Sequence, residues 1–185
     1  MALISNIVLS ALFGLAYFTC FVLQVEVLSD FDFLPTASIL FVPAGVKFLA
    51  LLILRWWGVF GISLGRAFVH LYTGQEIFTA HEIIELFLWV VLPYLCMIAY
   101  MEKQKLNLSL VDLTTFHLVA LCMILSVTSS LGTQVWDYWS GYQFTISIPK
   151  ATWAMTVGDF SGMLLTMFAI ILVQQFRLKS AANSD

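Results

Sequence analysis

Residues 83–101 read IIELFLWVVLPYLCMIAYM, with one charge, Glu85, near the beginning. A bilayer-spanning helix needs about 20 predominantly apolar residues, and this run supplies them. Five further runs read the same way: 4–27, 37–54, the shorter 59–73, 113–131 and 151–176. Of 185 residues, 61% are hydrophobic and 10% are charged. A soluble domain is about 45–50% apolar and roughly 25% charged, and must cover its core with polar surface. The expected fold class is therefore an all-α integral membrane protein, a bundle of six transmembrane helices. Residues 1–185 are expected to form a single transmembrane domain, with an outer aromatic loop over 132–150. The first run lacks a basic leader and runs into Gln24-Val25-Glu26 without a small-residue cleavage site, so it reads as a span and not a signal peptide.

Lys and Arg set the orientation. Arg55 follows the second run, Lys103 and Lys105 the fourth, Arg177 and Lys179 the sixth. If every run crosses, these lie on one face, while the other carries Lys150 with Glu26, Asp30, Asp32, Glu76 and Asp137. The positive-inside rule then places both termini in the cytoplasm. Trp56, Trp57 and Tyr100 fall where an inner aromatic belt belongs; Trp136, Tyr138 and Trp139 mark the outer one. The 132–150 segment is either an interfacial segment lying on the membrane or a lid formed by Trp136, Tyr138, Trp139 and Tyr142. A net charge of −3 excludes a nucleic-acid binder. Cys20, Cys96 and Cys122 are odd in number and sit inside apolar runs, so they read as small hydrophobes.

Three charges fall at similar mid-membrane depth: Lys47, Arg66 and Asp159. A charge there costs roughly 2.5–3.5 kcal/mol on insertion scales, so such residues pair or work. Gly61 and Gly65 precede Arg66, and Gly158 and Gly162 flank Asp159, both at the small-xxx-small spacing that lets helices approach. Arg66 and Asp159 are expected to pair directly or through one polar intermediary, as a structural ion pair or as the lining of a ligand or proton site. Lys47 follows Pro43 and Gly45, a helix break that suits a carboxylate or phosphate group. Its alternative is to snorkel to the inner interface.

His70, His81 and Glu85 make half a metal site, His81 and Glu85 sharing a face at i, i+4 with Glu82 between them. The second histidine of H-E-x-x-H is missing, so no metal is assigned, and capping or headgroup contact competes. His117 reads as a helix-packing histidine. No Walker loop, nucleophile elbow, zinc-protease motif or dinucleotide fingerprint is present, so neither enzymatic activity nor a cofactor is expected.

Pro43-Ala44-Gly45, followed by Leu49–Leu54, Trp57-Gly58, Gly61 and Leu64-Gly65, resembles the bacterial membrane-associated sensor (MASE-type) domains. Gly158-Asp159-Phe160-Ser161-Gly162 is similar to their late Gly-Asp-x-x-Gly. The likeness extends over roughly 43–172 and implies a short form with fewer spans than usual and without an output domain. It implies a non-enzymatic sensor-like module in a bacterial inner membrane, signalling through a membrane-protein partner or a second copy, with any small ligand meeting Lys47, Arg66 and Asp159. The size and helix count are also similar to the substrate-binding components of energy-coupling-factor vitamin transporters, with Ser10-Ala-Leu-Phe-Gly14 as a docking surface on the first helix. An accessory subunit of a larger membrane complex is the third reading.

Overall fold

The computed structural model describes residues 2–28, 32–34, 37–77, 79–106, 113–141 and 147–182. Helix α1 (Ala2–Val27) leads through a short antiparallel pair, β1 (Asp32–Leu34) and β2 (Ala37–Ser38), to helix α2 (Val42–Leu54). Helix α3 (Trp56–Thr73) follows at once. Helices α4 (Ala80–Leu86) and α5 (Leu92–Lys103) are joined by a π-helical turn over Phe87–Val91, so 80–103 is one continuous helical rod. Helices α6 (Thr115–Trp139) and α7 (Ile148–Ala182) complete the bundle.

Among the described residues, four helices are long and apolar enough to cross a membrane: Leu3–Val27, Ala80–Lys103, Thr115–Trp139 and Ile148–Ile171. The second and third of the six expected spans are not among them. Helix α2 has 13 residues. At 1.5 Å per residue it reaches about 20 Å, short of a hydrocarbon core of about 30 Å. Helix α3 has 18 residues but dilutes its apolar content with three glycines, Ser63, Arg66 and His70. The 132–150 segment also differs from expectation. Helix α6 continues to Trp139, so Trp136, Tyr138 and Trp139 ride on its last turns and do not form a loop. Tyr142, the fourth residue of the expected lid, lies outside the described residues.

Pro43 does not break a helix. It occupies the first turn of α2, where its missing N–H has no intrahelical acceptor to lose. The extended stretch before it is held by neighbours. Phe41 N–H donates to the Gly158 carbonyl at 3.1 Å, and Val42 N–H to Gln24 Oε1 at 3.2 Å. Irregular backbone inside a membrane protein persists where protein satisfies it, and α1 and α7 do so here.

The glycines explain the helix neighbours. A Cβ on Gly61 would overlap the Ser10 carbonyl, and one on Gly65 the Gly14 carbonyl, so α3 lies against α1 backbone to backbone. Ser10 Oγ also donates to the Trp57 carbonyl. On α7, Gly158 and Gly162 face the carbonyls of Ser38 and Phe41, and Gly45 of α2 meets Thr166. The two small-residue faces therefore serve different partners and do not bring α3 and α7 together. Phe48, Leu51, Ile62, Val90, Met97, Leu121, Leu125 and Met163 fill the centre, while Leu12, Leu15, Phe60, Leu71, Leu131 and Phe168 point outward. An apolar exterior around a buried polar interior is the pattern of a helix bundle solvated by lipid.

Candidate functional site

Lys47 is fully buried, and its Nζ lies 3.2 Å from Asp159 Oδ2 and 3.1 Å from Ser129 Oγ. Each of the three comes from a different helix: α2, α7 and α6. The Gly45–Thr166 contact sets α2 close enough to α7 for a lysine two residues later to reach Asp159. Ser129 belongs to a buried stripe on α6, Ser126, Ser129, Ser130 and Thr133, spaced i, i+3, i+4, i+7. The expected Arg66–Asp159 pair does not form. Lys47 takes Asp159 because α2, not α3, is packed on α7.

Arg66 turns instead to the beginning of α4. Its Nη2 lies 2.6 Å from Glu85 Oε1 and 3.8 Å from Glu82 Oε2. Its Nε donates to His70 Nε2 at 3.2 Å, and that same nitrogen is 3.2 Å from Glu82 Oε2. The apparent excess of cation over anion at mid-depth is thus resolved by two glutamates, which the linear sequence puts at the end of a span. A long arginine stem spans that difference in level.

Trp89 stands between the two charge groups. Lys47 Nζ lies 4.3 Å and the Arg66 guanidinium carbon 4.9 Å from the centroid of its ring. Both are within cation–π range. The ring sits in the π-helical turn 87–91, four residues before Pro93. Proline has no N–H to donate to the Trp89 carbonyl, and the Leu92 N–H reaches back to Phe87. Such widened turns recur at functional sites because they re-aim a side chain.

Two cavities flank this assembly. The larger, about 430 Å³, is lined by Tyr17, Phe21 and Gln24 of α1, Arg66 and His70 of α3, Glu85, Trp89, Thr133 and Asp159. The smaller, about 250 Å³, lies across Arg66 and His70 and is walled by Phe60, Leu64, Ile83 and Leu86 with Glu76 and Glu82. Lys47 does not line either cavity; Asp159 and Arg66 present charge of both signs to the larger one.

The histidines separate. His70 joins Arg66 and Glu82, while His81 lies 4.0 Å from Glu85 Oε2 and 3.5 Å from Asp137 Oδ1, so the set His70, His81, Glu85 is not assembled. His117 caps α6: Thr114 Oγ1 accepts from His117 N–H, and the His117 ring accepts from Thr114 N–H. The cysteines are unpaired thiols, Cys122 buried. Residues missed by sequence reasoning are Trp89, Ser129 and the role of Asp137. Ser129 carried a readable signal, the four-residue Ser/Thr stripe; Trp89 carried a fainter one, an aromatic one turn before a proline inside a span.

No family model, curated protein or solved structure matches this chain.

Proposed function

We propose that this chain is a non-enzymatic, sensor-like module of a bacterial inner membrane, which binds a small polar ligand in the larger cavity and acts through a partner protein. The observation that supports this reading is the cavity itself. Its volume of about 430 Å³ falls in the range of small-molecule sites, about 300–1,000 Å³. Its aromatic walls, Tyr17, Phe21 and Trp89, bury apolar surface, and Arg66, Asp159 and Gln24 supply the few oriented polar groups such sites use. A ligand that engages Asp159 acts on α2 through Lys47, and one that engages Arg66 acts on α4 through Glu85. Ligand binding is thereby coupled to the packing of helices whose ends lead to Arg55 and Lys103.

In this reading six helical segments cross or enter the bilayer, and both termini are cytoplasmic. The basic residues Arg55, Lys103 and Lys105 support that orientation. The likeness to MASE-type domains carries the signalling part of the proposal.

Native mass spectrometry of the protein extracted in its own lipids tests it. A small molecule retained at one per chain is expected. Met155→Trp, which fills the larger cavity from α7, should release it with at least about tenfold weaker binding, roughly 1.4 kcal/mol. A large stoichiometric protein partner with no small molecule in the wild type would sink the ligand reading.

A further inference from the structure

We propose that His81, Glu85 and Asp137 form a binding site for a divalent transition-metal ion of the zinc class, beside the larger cavity that Glu85 also lines. His81 and Glu85 are one turn apart on α4, and Asp137 lies in the last turn of α6. One donor atom from each lies within 4.8 Å of the other two. Three atoms so placed leave a point within about 2.8 Å of all of them, against zinc–nitrogen and zinc–oxygen bonds of about 2.0–2.2 Å. Side-chain rotation closes that difference.

Several features go beyond mere proximity. Glu85 divides its oxygens: Oε1 accepts from Arg66 at 2.6 Å, while Oε2 faces His81. An outer partner that fixes a ligating carboxylate is the usual support of a metal ligand. The His81 ring is stacked on Trp136 at 5.6 Å between centroids, which restrains the imidazole plane. Charge is matched as well. Glu82, Glu85 and Asp137 bring three negative charges against the single positive charge of Arg66, leaving two for a dication when both histidines are neutral. One imidazole with two carboxylates suits zinc, iron or manganese better than a thiol-seeking ion, and two carboxylates from separate helices make the ion a clamp between α4 and α6. Water or a ligand from the adjoining cavity fills the remaining coordination positions.

Cobalt(II) alone, added to metal-stripped protein in nanodiscs, reports the coordination by its visible absorption, and zinc is then titrated by calorimetry. One zinc per chain is expected, displacing the cobalt and raising the melting temperature. His81→Gln and Asp137→Asn should each weaken zinc uptake at least tenfold and abolish the thermal shift. Asp137→His, which retains a donor, should keep uptake and move the cobalt bands. Wild-type protein that takes up neither ion would overturn the proposal. So would uptake that is unchanged in both His81→Gln and Asp137→Asn.

Discussion

Lys47 carries its ammonium into a site with no solvent contact, where an unpaired charge costs several kcal/mol. Asp159, Ser129 and the Trp89 face replace the lost water, one by charge, one by an acceptor oxygen and one by its ring quadrupole. Removing either charge strands the other. Lys47→Met and Asp159→Asn are therefore expected to destabilise the folded protein by about 3–5 kcal/mol and about 2–4 kcal/mol respectively, the amide being neutral but still leaving the lysine unpaired. The double variant Lys47→Met/Asp159→Leu should recover to within about 1 kcal/mol of the wild type, since an apolar pair of similar volume needs no solvation. Unfolding titrations in detergent mixtures measure all three, and a double variant no more stable than Lys47→Met alone would refute the pairing. The residues of this pair were legible as out of place, because a charge inside an apolar run is visible in any membrane sequence. Their partners were not. Depth along a helix follows from counting, but which helix stands beside it depends on packing faces, so Arg66 and Lys47 were equally placed to claim Asp159.

Those faces are set by glycine. Gly61 and Gly65 of α3 and Ser10 and Gly14 of α1 repeat the same four-residue spacing, and the two stripes meet with backbone carbonyls against Cα atoms. The spacing itself was readable on each helix, yet three such stripes offer several pairings, and sequence alone ranks none of them. The stripe on α7 shows why: Gly158 and Gly162 accept the non-helical segment 38–41, which helix–helix motifs do not anticipate. A side chain at a carbonyl contact must push two backbones apart. Gly14→Leu and Gly65→Leu are each expected to lower stability by at least about 2–3 kcal/mol, the range in which overpacking acts. Gly132→Leu is the comparison, because its Cβ would meet the Leu88 Cβ at 3.2 Å and the Leu88 carbonyl at 3.3 Å, tight but short of the carbonyl overlap at Gly14 and Gly65, and it should lower stability by less than either. Unfolding midpoints compared across the three variants decide it; equal losses at all three positions would mean that α1 and α3 are not in close contact.

At the scale of the whole molecule, four helices among the described residues are long and apolar enough to cross a membrane, and the hairpin α2–α3 is the element whose path decides the topology. A hairpin that crosses twice and one that turns back within the bilayer both enter and leave on the same side. The turn at Arg55–Trp56 distinguishes the two. Arg55 has a positive φ of 57°, the sharp bend that folds α3 back on α2, and Gly58 packs against the Ala50 carbonyl. Trp56 is 56% exposed and stacks edge-on against Tyr94, 4.8 Å away, in the α5 segment that leads to Lys103. That contact sets the turn beside Tyr94, about 14 Å along the rod from Lys103, while α3, about 27 Å long, falls little short of the apolar thickness, so the two features pull toward different paths. Single cysteines placed at Trp56, Lys103 and Ser140, in a background with Cys20, Cys96 and Cys122 replaced by alanine, read the path directly. A membrane-impermeant maleimide should label Trp56→Cys and Lys103→Cys from the cytoplasmic face and Ser140→Cys from the other. Trp56→Cys that resists labelling from both faces, while Lys103→Cys reacts, would establish a re-entrant hairpin and four crossings. In that event Lys47 and Arg66 enter the membrane on helices that turn back before reaching the other face, and the larger cavity becomes the floor of a pit open to one side.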